Sequence, residues 1–321
     1  MSTNPQAELR TRHIAVVGAG LIGAGWAIVF ARARRRVRVF DSNEKAAANL
    51  LHYVELQLIE MKRFGLIDDP ASIMQYLSVS PTLQHAVDEA EYVQESTLER
   101  VDVKRELMQR LEPLLAVDAV AGSSTSGIGA SRFTEGLTIA PRVLVVHPVN
   151  PPHLVPVVEL VPSPWTSPRS VHFAERLMEE VGQSVVKLSR EIEGFVLNRL
   201  QGALLREAWA LVEDGVTSCE DVDKTVRDGV GLRWSFMGPF ETIDLNAPGG
   251  VADYAARLGP LYQSIAASRR HDAAWSADLI GEVERQRRGF LPESELAQRR
   301  DWRDLRLMEI AAGRNIVGEA N

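Results

Sequence analysis

The stretch His13–Asp41, HIAVVGAGLIGAGWAIVFARARRRVRVFD, decides the fold. An apolar β-branched run, His13 to Val17, leads straight into Gly18-Ala-Gly20-Leu21-Ile22-Gly23. A helical segment follows to about Ala33, and a second run, Val37 to Phe40, ends in Asp41. Strand, GxGxxG, helix, strand and acid are the parts of a dinucleotide-binding βαβ unit. Gly18 permits the tight turn, Gly20 lets the backbone approach a pyrophosphate, and Gly23 lets helix and strand pack closely. The helix start, with Leu21 and Ile22, offers free N–H groups and a positive dipole end to the phosphates. Asp41 should accept hydrogen bonds from the adenosine ribose, and its charge repels a 2′-phosphate, which favours NAD over NADP. The arginines at 34 to 36 keep NADP open, since a guanidinium can accommodate that phosphate; they also read simply as a solvated helix end.

Beyond this unit, Ala46, Leu50, Val54, Leu58 and Met61 recur at three- and four-residue steps and predict an amphipathic helix from Asn43 to about Arg63. A short helix from Pro70 to Tyr76 and strands at Leu77–Ser80, Tyr92–Glu95 and Val117–Ser123 follow. Glu99 and Lys104 are bland helix-surface charges by default, yet they come just after a strand's carboxyl end, where open α/β sheets bind ligands. The hydroxyl-rich turn Gly122–Gly127, with Ser126, either faces that crevice or caps a helix. Val143–Val161, VLVVHPVNPPHLVPVVELV, reads as strand, Pro-rich loop, strand, with His147 at the end of the first strand and Glu159 in the second. An imidazole exchanges a proton near neutral pH, and a carboxylate can fix its tautomer, so the two form a candidate base and partner.

From Glu191 the pattern is helical throughout, including a capping box at Ser218-x-x-Asp221 and a helix closing before Gly229. The expectation is an α/β chain: a Rossmann-type, doubly wound, mostly parallel sheet over residues 1–190, then an all-α C-terminal domain over 191–321 for substrate binding and dimerisation. Helical domains this small commonly complete their core against a second subunit, so a homodimer is expected; light scattering at micromolar concentration tests it.

The net charge of -7 argues against nucleic acid as main partner. Cys219 is the only cysteine and the seven histidines are scattered, which leaves no disulfide and no metal centre to expect. No stretch approaches eighteen uninterrupted apolar residues, so the expectation is a cytoplasmic protein without a membrane partner.

Taken together, these residues resemble the L-3-hydroxyacyl-CoA dehydrogenase superfamily, and within it the lambda-crystallin and L-gulonate 3-dehydrogenase branch. The resemblance runs from Gly18 to about Trp302. It is carried by His147-Pro-Val-Asn150-Pro151-Pro152 with Glu159, by Ser123-Ser-Thr-Ser126, and by Gly194-Phe195-Val-Leu-Asn198-Arg199. It implies NAD as cofactor, His147 as the base taking the hydroxyl proton while a hydride leaves the same carbon, and Glu159 as its orienting partner. It also implies that Ser126 and Asn198 hydrogen-bond the reacting oxygen and that Glu99 and Lys104 lie near the nicotinamide and its ribose.

The Pro-Val-Asn150-Pro-Pro variant and Glu241–Asn246 look like the gulonate branch, where acyl-CoA enzymes carry a Phe in the histidine motif. Arg233, in Gly231-Leu-Arg-Trp234, is either a surface charge or a bidentate partner for a small carboxylate. The expected substrate is therefore a small free L-3-hydroxy acid such as L-gulonate or 3-hydroxybutyrate. An acyl-CoA substrate is the alternative. Gly-Leu-Arg-Trp also resembles carnitine dehydrogenases, although those carry an Asp where Asn198 stands. A crystallin-like protein that merely retains NADH is the non-enzymatic alternative.

Overall fold

A computed structural model of the chain describes residues 12–269 and 274–318. Its sheet has eight strands: β1 (Ile14–Val17), β2 (Val37–Phe40), β3 (Leu77–Val79), β4 (Tyr92–Glu95), β5 (Val120–Ser123), β6 (Val143–Pro148), β7 (Val157–Pro162) and β8 (Ser184–Lys187). They lie in the order β3-β2-β1-β4-β5-β6-β7-β8. All neighbours are parallel except β6 and β7, which are antiparallel. The order reverses between β1 and β4, so the crevice at their carboxyl ends is where such a sheet takes a ligand.

The central strands are buried on both sides, which is why they read as unbroken apolar runs. The two-residue period still sorts their side chains. Ile14, Val16, Tyr92, Leu144 and Val146 join one apolar cluster, and Ala15, Val17, Val93, Val143 and Val145 join the other. The first cluster holds the helix Leu21–Arg32, which is buried from Gly23 through Ala31 and carries Trp26 and Phe30 at 0% exposure. Helix Glu44–Arg63, capped by the Asn43 side chain, adds Leu50, Val54, Leu58 and Met61 to it. Ala47 is buried on this helix, whereas Ala46, expected on the same face, is half-buried and lines a cavity instead.

The chain divides into two compact units, 1–199 with 300–321, and 200–299. This differs from the expected boundary at 190. Residues 194–199 stay with the sheet because Glu159 holds their backbone, and the last helix (Leu296–Gly318) sends Met308 and Leu307 into the first apolar cluster.

The second unit is helical, as expected, with Trp209 stacked on Trp275 at 4.3 Å between ring centres. One expectation for it fails. The helix begun at Cys219 does not close before Gly229: it widens into a π-helix over Thr225–Val230 and continues through Gly231–Trp234. The wider turns absorb Gly229 without breaking the spiral. No helix among the described residues is long and apolar enough to cross a membrane, and none of those residues form a cluster able to hold a metal ion.

Candidate active site

The first half of the site is the nucleotide crevice. Gly18 has φ +109°, and a Cβ there would stand 2.4 Å from the Ser96 carbonyl oxygen, so only glycine fits between β1 and β4. A Cβ on Gly20 would meet nothing within 4 Å, so this residue faces open space, and no side chain caps the helix start at Leu21. The unclaimed N–H groups of that turn are what a pyrophosphate needs.

Beside them is a cavity of about 590 Å³ bordered by Gly18, Gly20, Asp41, Ser96, Thr97 and Leu98. Asp41 is fixed there: its two carboxylate oxygens accept the Ala19 and Asn43 N–H groups, each at 2.7 Å. Each oxygen keeps a lone pair for a ribose hydroxyl. Arg34, Arg35 and Arg36 precede β2 and lie at the opposite end of that strand from Asp41, which removes them from the ribose. Arg35 is buried in ion pairs with Glu91 and Glu180. These residues fit an NAD molecule.

The second half is the histidine pair. The β6–β7 register sets His147 directly opposite Glu159, and Nδ1 of His147 lies 2.7 Å from Oε2 of Glu159. The other Glu159 oxygen accepts the N–H groups of Val196 and Leu197 at 2.8 and 2.9 Å. Burial would raise the Glu159 pKa, but the bonds from His147, Leu197 and Val196 outweigh it and hold the carboxyl below its ordinary value. An ionised Glu159 only accepts, so Nδ1 carries the hydrogen and Nε2 presents a lone pair. Phe195, in a left-handed conformation at φ +52° and 1% exposed, packs its ring 5.5 Å from the imidazole.

Glu99 joins the hydroxyl-rich turn. Its Oε1 accepts from the Thr125 hydroxyl at 2.6 Å, the Ser126 N–H at 2.8 Å, and more loosely from the Ser126 hydroxyl and Gly127 N–H. Burial opposes its ionisation, and the Thr125 bond, the Lys104 charge and the Ser126 bonds together lower its pKa. Asn198 donates to the Ser126 carbonyl at 2.6 Å, which brings Ser126, Glu99 and Asn198 together.

Lys104, a helix-surface charge by default, is instead buried. It is 1% exposed, bonds both oxygens of Glu95 at 3.0 Å, and lies 3.4 Å from Glu99. Its ammonium is paired with both carboxylates, because an unpaired buried cation would be costly. In the sequence Glu95 carries no assigned role, and Ser123, whose hydroxyl donates to Glu95, has only a place in the serine motif. An acid ending a strand of otherwise buried residues was the available signal, since a buried carboxylate needs a paired cation. Asn150 is exposed on the loop after β6, and Arg233 is exposed in the second unit.

On the same loop as Asn150, His153 is buried, and neither of its ring nitrogens has a hydrogen-bond partner among the described residues. Burial, with the charge of Arg32, pushes its pKa down to about 4 from 6.5. The unfolded chain takes up this proton first as pH falls, so stability is full above about pH 6.5 and declines toward pH 4, by about 3 kcal/mol. Urea unfolding across that window should be less pH-dependent in His153→Leu; identical slopes for the two proteins would sink the assignment.

Residues 13–192 match the 3-hydroxyacyl-CoA dehydrogenase NAD binding domain, and residues 194–283 match the C-terminal domain of the same enzymes. The chain belongs to the 3-hydroxyacyl-CoA dehydrogenase family. As a member of this family it is an NAD-dependent dehydrogenase acting on 3-hydroxy groups. The lambda-crystallin homolog of Bos taurus is 39% identical over 93% of this chain and 94% of its own. The L-carnitine dehydrogenase of Streptomyces coelicolor is 38% identical over 82% of this chain and 81% of its own. Among solved structures, 5-formyl-3-hydroxy-2-methylpyridine 4-carboxylic acid 5-dehydrogenase superposes with a TM-score of 0.81 at 24% identity, covering 96% of this chain and 98% of that one; this likeness is one of fold. The two family matches meet between residues 192 and 194.

Proposed function

We propose that the protein oxidises the 3-hydroxyl of a small free L-3-hydroxy acid, of the L-gulonate or 3-hydroxybutyrate type, to the 3-keto acid. The observation that carries this reading is the His147–Glu159 pair at 2.7 Å, with the Glu159 carboxylate held ionised. Nε2 of His147 accepts the substrate hydroxyl proton, and Glu159 stabilises the imidazolium that forms. NAD supplies the acceptor for the hydride leaving C3. Asn198, fastened to the Ser126 carbonyl, keeps one amide hydrogen that steadies the reacting oxygen as it becomes a carbonyl, and the Ser126 hydroxyl joins it by turning from its loose bond to Glu99. Asn150 serves the same substrate end from the loop after β6.

A free acid is favoured over a thioester by His147-Pro-Val-Asn150-Pro-Pro, and by the identities to a lambda-crystallin homolog and an L-carnitine dehydrogenase. In this reading Arg233 takes the carboxylate with its planar fork. The test is a panel of free 3-hydroxy acids and CoA thioesters, with NAD and NADP in parallel, followed at the NADH absorbance. Free acids should turn over faster, with NAD preferred, and Arg233→Ala should raise KM for them about tenfold or more while sparing NADH binding. Faster thioester turnover overturns the reading.

A further inference from the structure

We infer that a buried relay of hydrogen bonds makes the Ser96 hydroxyl a directed donor into the nucleotide cavity, where it binds an acceptor oxygen of the dinucleotide. Four side chains lead to it. The Tyr92 hydroxyl donates to Oε1 of Gln94 at 2.6 Å, and Nε2 of Gln94 donates to the Ser124 hydroxyl at 2.8 Å. Trp26 Nε1 donates to that same oxygen at 3.1 Å, and Ser124 and Ser96 share a bond of 2.9 Å.

Donor counting sets the direction. An indole N–H can only donate, and a serine hydroxyl has two lone pairs and one proton. Ser124 spends both lone pairs on Trp26 and Gln94, so its proton goes to Ser96. The proton of Ser96 then finds no acceptor among the described residues, and Ser96 lines the cavity beside Gly18 and Asp41. Running the relay backwards would require the Gln94 amide to turn round. That would leave the proton of Tyr92, at 0% exposure, without an acceptor, and an unmet buried donor is expensive. Tyr92 and Trp26, well inside the core, therefore decide what Ser96 offers to the cofactor. A chain of bonds pointing one way also strengthens its last member.

The test is NADH affinity, read by fluorescence titration without substrate. Ser96→Ala should raise Kd about 3- to 10-fold, the usual effect of one lost hydrogen bond, with only a small drop in the unfolding midpoint from the Ser124 proton that loses its acceptor. An unchanged Kd overturns the assignment. Ser124→Ala should cost a further-removed 2- to 3-fold in the unaltered protein, roughly the polarisation lost, and nothing more once Ser96 is Ala. An equal loss in both backgrounds, or none in the first, overturns the relay; Tyr92→Phe reads the same cycle if Ser124→Ala folds poorly. Titrations with AMP and with ADP-ribose place the oxygen. A loss shared by AMP puts it on the adenosine ribose or its phosphate, and a loss confined to ADP-ribose and NADH puts it beyond.

Discussion

His147→Gln should lower kcat by about a thousandfold and leave the Kd for NADH within about twofold of the unaltered protein. Glutamine is close to histidine in size and can still bond Glu159, so the β6–β7 register should survive. What it lacks is a basic lone pair where Nε2 stood. The two measurements separate chemistry from binding, because the nucleotide cavity is bordered by Gly18, Asp41 and Ser96 and not by His147. Retained turnover would remove His147 from the role of base, whatever happens to affinity.

Glu159→Gln should cost about as much kcat for a different reason. The carboxylate accepts from His147 through one oxygen and from Val196 and Leu197 through the other. A glutamine can keep its oxygen on the two backbone N–H groups and turn its amide toward Nδ1. The imidazole must then accept at Nδ1 and carry its hydrogen on Nε2, the wrong tautomer for a base, for which losses of about a thousandfold or more are typical. Stability should fall only by about 1 kcal/mol, since every buried donor keeps a partner. Glu159→Ala should do both, losing turnover and a further ~2–4 kcal/mol in urea unfolding, because two backbone donors and Nδ1 are left unmet. Equal stability of the Gln and Ala proteins would mean that Glu159 does not hold the Val196–Leu197 backbone. The carboxylate's contribution to stability has a definite sign with pH: present above its ordinary titration range and lost as pH falls through the lowered folded value.

Much of this site is local, and what is local could be read from the residues in order. Gly18 to Asp41 needs only strand, turn and helix chemistry, and the structure places each part as expected. His147 and Glu159 face each other because a hairpin pairs residues at a spacing set by its loop. Lys104 shows where this kind of reading stops. A lysine on a helix after a strand looks solvated, and only the unremarked Glu95 on the neighbouring strand explains why it is buried. The relay from Tyr92 to Ser96 is equally invisible, because its members sit 2 to 98 residues apart in pairs that only the folded sheet brings together. Gly229 misled in the other direction: glycine usually ends a helix, and here wider π turns carry the spiral past it.

The placement of Met308 has a bearing on how the molecule is made. It is 1% exposed and shares an apolar cluster with Leu50, Val54 and Leu58, although 200–299 form a compact unit of their own in between. The nucleotide-binding unit is thus discontinuous along the chain. On the ribosome the cluster that Met308 joins stays incomplete until the last helix has emerged, after residues 200–299 have been made. A fragment ending at residue 283 would carry His147, Glu159 and the nucleotide crevice and still lack the Met308 side chain from its core.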